Sequence, residues 1–98
     1  MDFKIILSAR AVQDLREIVR YISFDNPARA ESFGRELTAK TRLLVSFPEI
    51  GRVVPEFDEP DIREIIYKSY RIVYRVRHQK RMIEVSRFWH GARGTPHV

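Results

Sequence analysis

The sequence predicts an α+β fold in which one N-terminal strand is followed by an antiparallel two-helix hairpin and a three-strand antiparallel meander. Two observations indicate it. Apolar residues recur every three or four positions from 9 to 46, and every second position from 62 to 89. Between these stretches, prolines and a glycine mark a loop. The 98 residues form one domain, 1–98, with both helices on one face of the sheet.

The first strand is predicted at residues 3–7, a short apolar run rich in β-branched side chains. Ser8 follows it and can cap a helix, because its hydroxyl can accept a hydrogen bond from a free amide of the first turn. The helix is predicted from about 9 to 24. Its apolar stripe consists of Val12, Leu15, Ile18, Val19 and Ile22.

A second helix is predicted from 27 to about 46. Asn26 can cap it, and proline at 27 suits the first helical position. Gly34 lowers the intrinsic stability of this helix by roughly 1 kcal/mol, and we expect a close helix crossing there to compensate. The buried stripe is predicted to be Ala30, Phe33, Leu37, Thr41 and Leu44.

Three strands are predicted at 62–67, 70–77 and 82–89, joined by short polar links. In the second strand, alternation separates two faces. Unpaired guanidinium groups are too costly to bury, so the face without arginine must meet the helices. That face carries Tyr70, Ile72, Tyr74 and Val76. The other, predicted to look outward, carries Arg71, Val73, Arg75 and Arg77.

The formal charge of +5 is unevenly distributed along the chain. Residues 1–62 hold nine Lys/Arg against eleven Asp/Glu, whereas residues 63–98 hold nine Lys/Arg against two Asp/Glu. This bias predicts a basic surface that attracts a polyanion or an acidic protein, with a merely solvated face as the alternative. The meander strands carry arginine but no lysine, and the planar guanidinium favours recognition. These arginines are Arg63, Arg71, Arg75, Arg77 and Arg87.

Several classes of protein are excluded or disfavoured. The chain has no cysteine, so it has no disulfide, thiolate metal site or cysteine nucleophile. The three histidines are scattered, and we expect neither a metal nor a cofactor. No apolar run exceeds three residues, and no export signal is visible, so we expect no membrane partner and a cytoplasmic location. Residues 91–98 are predicted to be a loosely ordered tail.

The candidate functional residues are charged or aromatic. His90 ends the last strand, where an imidazole could move protons while Arg71 holds a phosphate; alternatively it bonds its own backbone or packs on Trp89. Glu56 is a possible general base on the loop, or a solvated acid among acidic neighbours. The residues predicted to bind a target or nucleic acid are Arg71, Arg75, Arg77, Arg87, Trp89, His90 and Arg93.

Short segments spread over almost the whole chain together resemble the RelE/ParE superfamily of bacterial toxins. No single segment is specific, but their order and spacing are. The segments are IILS at 5–8, DNP at 25–27, FP at 47–48, GR at 51–52, REI at 63–65, YRIVYR at 70–75 and WHGAR at 89–93. The resemblance implies the same strand, helical hairpin and meander fold.

The resemblance implies two alternative functions. RelE-like toxins are ribosome-dependent mRNA endoribonucleases, and ParE-like toxins poison DNA gyrase without an agreed catalytic constellation. The 25–27 link and the 70–75 strand look more like the ParE (plasmid stabilisation) branch. In a nuclease, Arg71, His90 and Glu56 would match the phosphate-binding, acid/base and loop glutamate positions. The first meander strand lacks the nuclease lysine pair, and the 91–98 extension also departs from the nuclease pattern.

We therefore expect a growth-inhibiting toxin of a type II toxin–antitoxin system that acts on gyrase, with mRNA cleavage as the alternative. Whether the chain is an enzyme stays open. The family implies an acidic antitoxin that forms a hetero-oligomer with the toxin. A disordered acidic segment folding across the basic 63–98 region would neutralise it.

Overall fold

The computed structural model describes residues 2–98 and confirms the predicted α+β class. Helices and strands follow one another along the chain in the predicted order, with one additional short strand. They are β1 (Lys4–Leu7), α1 (Ala9–Ser23), α2 (Pro27–Arg42), β2 (Arg52–Val53), β3 (Ile62–Tyr67), β4 (Tyr70–Arg77) and β5 (Met82–His90), with 3₁₀ turns at Leu43–Val45 and Gly91–Arg93.

The five strands form one mixed sheet in the order β1-β5-β4-β3-β2. β3, β4 and β5 are the predicted antiparallel meander, and β2 pairs antiparallel with β3. β1 runs parallel to β5, its neighbour in the sheet, and the helical hairpin leads the chain from β1 to β2 at the opposite edge. The strand at Arg52–Val53 was not predicted, since two residues show no alternation.

Both predicted helix caps are present. The Ser8 hydroxyl accepts a hydrogen bond from the Ala11 N–H at 3.0 Å and donates to the Ser86 carbonyl at 2.9 Å, which ties the start of α1 to β5. Asn26 Oδ1 accepts from the Arg29 N–H at 3.0 Å. α2 ends before residue 46 because its last predicted turn tightens into the 3₁₀ turn.

The helices cross closely at Gly34, as predicted. A Cβ on this glycine would lie 3.0 Å from Val19 Cγ2. The buried side chains of α2 all belong to the predicted stripe. On α1 the buried positions include Asp14, a carboxylate that the apolar stripe did not contain.

The predicted inward face of β4 packs against the helices. β5 contains a bulge, since Val73 faces Arg87 whereas Tyr74 faces Val85, leaving Ser86 as the additional residue. Because the bulge shifts the alternation of side chains, β5 contributes apolar side chains to the core both before and after the bulge. The helix-side core includes Leu37, Ile72, Tyr74, Val76, Ile83, Val85 and Phe88.

The opposite face of β4 is partly covered. Val54, Ile62 and Val73 form a second, smaller core, and Phe57 packs against it. The loop that precedes β3 therefore lies over the arginine-bearing face. The prediction that this whole face looks outward is wrong, because the Val73 side chain on it is apolar and needs a cover.

The C-terminal tail packs on the sheet. Trp89 Nε1 donates to the Gly94 carbonyl at 3.1 Å, Arg87 donates to the His97 carbonyl at 3.0 Å, and Pro96 is buried. These contacts hold against the sheet the 91–98 tail that the sequence predicts to be loosely ordered. No helix within residues 2–98 is long and apolar enough to cross a membrane.

Candidate functional site

Arg71 lies in β4 beneath the covering loop, with only 11% of its side chain exposed. Its Nη1 and Nη2 donate to the two carboxylate oxygens of Glu56 at 2.8 and 2.7 Å, and its Nε donates to Glu64 at 2.6 Å. The guanidinium is thus engaged by two carboxylates of its own chain. The sequence had suggested that this guanidinium could hold a phosphate, but in the structure it is not open to one.

Glu64 is the centre of this cluster, and its side chain is 0% exposed. Besides Arg71, it accepts a hydrogen bond from Arg52 Nε at 2.8 Å, and Arg52 Nη2 lies 2.7 Å from the same carboxylate oxygen. Two guanidinium groups compensate the burial of one carboxylate, which satisfies the requirement that a buried charge be paired. The cluster holds β2, β3 and β4 together.

Glu56 is strongly acidic in this environment. Its hydrogen bonds with Arg71 lower the pKa of the Glu56 carboxyl to about 2. A general base is most effective when its pKa lies near the working pH, so this carboxylate is a poor proton acceptor at neutral pH. The structure brings Glu56 and Arg71 together, but as an ion pair.

The Glu56–Arg71 pair predicts a pH dependence of stability. The folded pKa lies below the ordinary glutamate value, so the pair stabilises the fold above about pH 4.5, and this contribution is lost as the pH falls toward 2. Because the carboxylate is partly exposed, we expect Glu56→Gln to cost about 1 kcal/mol at pH 7. In urea unfolding, the difference in the free energy of unfolding between wild type and Glu56→Gln should be smaller at pH 3 than at pH 7. Glu59→Gln, at an exposed position, is the control, and an equal pH dependence of wild type and Glu56→Gln would contradict the prediction.

His90 is anchored separately. Its Nδ1 accepts a hydrogen bond from the Ala92 N–H at 3.1 Å, and its ring meets the Tyr70 ring edge-on with centroids 5.1 Å apart. Tyr70 in turn packs on Phe33 of α2. These contacts match the interpretation of a strand-end histidine that bonds its own backbone.

Arg71 and His90 border the same groove, of about 610 Å³, together with Arg52 and Lys68. Within residues 2–98 no hydrogen bond joins His90 to Arg71 or Glu56. The groove therefore combines basic side chains with an imidazole, while the glutamate is already engaged with arginine.

Arg87 links β5 to α1. Its Nε and Nη2 donate to the two oxygens of Asp14 at 2.7 and 2.8 Å, and the Phe88 N–H donates to the same carboxylate at 3.1 Å. Both side chains are buried. The hydrogen bonds that Arg87 donates to Asp14 raise the pKa of the Arg87 guanidinium, and we assign this pair to holding the fold.

Trp89 is buried beneath the tail. The Arg93 guanidinium carbon lies 3.8 Å from the centre of its ring, and that of Arg87 lies 4.8 Å from it. These cation–π contacts occupy the indole, so stacking on a nucleobase would require the tail to leave.

Arg75 and Arg77 lie toward the other end of β4. Arg77 donates to Glu84 at 3.3 Å, and Arg75 has no ion pair within the described chain, 2–98. Both border a groove of about 430 Å³ beside His78, whose Nε2 lies 3.3 Å from Asp61 Oδ1. Of the residues predicted to bind a target, these two arginines come nearest to forming the expected outward-facing basic surface.

The partners of the meander arginines were missed by sequence reasoning. Acids from the first 62 residues pair with Arg63, Arg71 and Arg87, so the charge asymmetry along the chain is reduced in the folded protein. These acids are Glu49, Glu56 and Asp14. The one available signal was an acid, Asp14, within the apolar spacing of α1. Within residues 2–98, no cluster of three or more His, Asp or Glu side chains could hold a metal ion.

The sequence matches the family model described as the ParE toxin of the type II toxin–antitoxin system, parDE, over residues 5–94. The chain belongs to the ParE toxin family. It is a type II toxin–antitoxin toxin of the wider ParE/RelE superfamily, as the motifs had indicated. Among curated proteins, none matches this ParE-family sequence significantly.

Solved structures show the same fold. A chromosomal ParDE toxin–antitoxin system from P. aeruginosa superposes with a TM-score of 0.73 at 18% identity, covering 90% of this chain and 95% of that one. For an arginine-to-alanine double mutant of E. coli toxin RelE in the free state, the TM-score is 0.71 at 20% identity, with 96% and 88% covered. The RelBE2 toxin–antitoxin complex of Mycobacterium tuberculosis superposes with a TM-score of 0.61 at 15% identity, covering 92% of this chain and 99% of that one.

Proposed function

We propose that this ParE-family toxin inhibits DNA gyrase without cleaving a nucleic acid, acts in the cytoplasm, and is neutralised by an acidic antitoxin. The observation that carries the non-catalytic part is the Glu56–Arg71 pair. It engages both the phosphate-binding candidate and the base candidate of a nuclease. Membership in the ParE family supports gyrase as the target.

RelE-like mRNA cleavage is the alternative. It is favoured by the groove that Arg71 and His90 share and by the fold likeness to E. coli RelE. Cleavage at this groove would require Arg71 to release Glu56 so that its guanidinium could meet a phosphate.

Gyrase inhibition is tested by a supercoiling assay with the purified toxin. We expect added toxin to block ATP-dependent supercoiling of relaxed plasmid, because a non-catalytic inhibitor acts by occupying the enzyme. His90→Ala should retain the inhibition, and relaxation by a type I topoisomerase is the control for non-specific DNA binding. Full supercoiling at saturating toxin would contradict the proposal.

The alternative is tested on translated message. Primer extension on mRNA in a translating extract should show no toxin-dependent cut. Cuts that appear with the wild type and vanish in His90→Ala would establish the RelE-like activity and overturn the non-catalytic assignment.

The antitoxin partner is proposed from the family and from the neighbours named as the ParDE system and the RelBE2 complex. We expect an adjoining reading frame to encode a short acidic protein that relieves growth inhibition. Its association should slow as salt is added, since the toxin carries a net positive charge.

A further inference from the structure

The end of β4 and the turn that follows it carry cations with no acid among them. Residues 75–83 read RVRHQKRMI, with Lys or Arg at four positions and neither Asp nor Glu. This stretch lies at the opposite end of β4 from the groove that Arg71 and His90 share. It therefore forms a basic surface separate from the candidate nuclease residues.

The arginines of this surface are held weakly by their own chain. Glu84 stands opposite Arg75 in the β4–β5 register, but its carboxylate accepts from Arg77, and at the long distance of 3.3 Å. Arg75 forms no ion pair within residues 2–98. By contrast, Arg71 and Arg87 each form two bonds of 2.7 and 2.8 Å with one carboxylate. The guanidinium groups at this end of β4 thus keep donors available for a ligand.

The groove of about 430 Å³ beside these arginines is fixed by main-chain hydrogen bonds. The Val76 N–H donates to the Asp61 carbonyl at 2.8 Å, which holds the segment before β3 against β4. In the turn, the Arg81 N–H donates to the His78 carbonyl at 3.1 Å, and the Arg81 carbonyl accepts from the Lys4 N–H of β1 at 2.9 Å. The cations are therefore presented on a braced turn.

The turn also keeps a cation at an unfavourable backbone position. Arg81 has a φ of 49°, in the left-handed region where glycine or asparagine is the ordinary choice. Its guanidinium carbon lies 4.9 Å from the centre of the Phe3 ring. Lys80 precedes it and is exposed. An arginine retained in such a conformation indicates that positive charge at this turn has a use.

The arrangement suits a ligand with repeated negative charges. Arg75 and Arg77 lie on one face of a strand, about 7 Å apart along it. The planar guanidinium binds phosphate through two parallel hydrogen bonds. Among the residues that border the groove, none is Phe, Tyr or Trp, so an unpaired base would find no ring on which to stack. Contacts to phosphates without base stacking are typical of binding to the backbone of a duplex.

We propose that Arg75, Arg77 and Lys80 bind the phosphate backbone of duplex DNA. Such contacts carry no sequence information, and free duplex should bind in the range of non-specific complexes, about 10⁻⁴ to 10⁻⁶ M. The choice of DNA over RNA rests on the proposed function, since gyrase works on duplex DNA.

Fluorescence anisotropy with a short labelled DNA duplex tests the proposal. Arg75→Gln combined with Arg77→Gln should bind at least tenfold more weakly than wild type at about 50 mM salt. The slope of log affinity against log salt should become shallower by about 1.8, the value for two lost phosphate contacts. Arg10→Gln with Arg16→Gln removes the same charge from exposed positions of α1 and should stay within threefold of wild type. Circular dichroism verifies that both double variants fold.

Nuclear magnetic resonance supplies a readout that needs no variant. Titration of the wild-type toxin with the duplex should shift the amide signals of residues 75–81 and leave those of α2 unchanged. Polyglutamate and an RNA duplex are the competitors, and both should displace the DNA less effectively than unlabelled DNA does.

Four results would overturn the proposal. Equal weakening in the two double variants would mean that only net charge matters. Tighter binding of polyglutamate would assign the surface to an acidic protein, and tighter binding of the RNA duplex would assign it to RNA. Blocked supercoiling by a toxin that does not bind the duplex rejects this surface but keeps gyrase as the target. Duplex binding as predicted, together with undisturbed supercoiling, supports the surface and rejects the gyrase target instead.

Discussion

Asp14→Ala should lower the free energy of unfolding by about 3–5 kcal/mol, the cost of leaving a buried charge without its partner. The substitution removes both hydrogen bonds of the Arg87 side chain to this carboxylate and the acceptor of the Phe88 N–H. Because Arg87 also donates to the His97 carbonyl, the tail should loosen as well.

Urea unfolding monitored by circular dichroism measures this loss. Asp25→Ala, at an exposed position, is the control and should stay within about 0.5 kcal/mol of wild type. Asp14→Leu combined with Arg87→Met should cost less than the two single changes added together, since no charge is then buried alone. A loss below 1 kcal/mol for Asp14→Ala would contradict the assignment.

Gly51→Ala should destabilise the fold by about 3 kcal/mol, at the upper end for inserting a methyl group into a packed site. A Cβ at this position would lie 2.5 Å from the Glu64 carbonyl oxygen and 2.7 Å from the Tyr74 hydroxyl. Neither atom can withdraw easily, because one belongs to a central β3 residue and the other is held by the Gly51 N–H itself.

Thermal unfolding of matched glycine variants checks this prediction. At Gly91 an added Cβ would meet only the Ser69 carbonyl oxygen at 3.3 Å, so Gly91→Ala should cost less than about 1 kcal/mol. Adding Tyr74→Phe to Gly51→Ala should recover part of the loss by removing one of the two clashes. Equal melting temperatures for Gly51→Ala and Gly91→Ala would contradict the close approach.

The sequence predicted the features that depend on neighbouring residues. Ser8 and Asn26 are capping residues followed by helical periodicity, so α1 and α2 begin where expected. Alternation in β4 also identified which side chains meet the helices, because strand parity is a local property.

The remaining features depend on contacts between distant residues. Arg87 pairs with a carboxylate 73 positions away, and Arg71 with one 15 positions away on an irregular loop. Counting charges along the chain cannot reveal such pairs. The loop over β4 was also missed, since its cover rests on Val54 and Phe57, two apolar residues without periodicity.

This difference changes the interpretation of the basic meander. Four of its five arginines form ion pairs within residues 2–98, with Arg75 as the exception. Arginine enrichment there therefore serves packing of the loop, the tail and α1 on the sheet. Recognition of a partner is then expected from surfaces that these ion pairs leave exposed.

A double-mutant cycle at Glu64 and Arg71 tests most directly whether the sheet arginines hold the fold. Glu64→Gln, Arg71→Met and the double variant are unfolded in urea beside the wild type. We predict a coupling energy of about 1–3 kcal/mol, as for paired charges in one network. Coupling below about 0.3 kcal/mol would mean that the Glu64–Arg71 pair does not stabilise the fold, and would contradict the account.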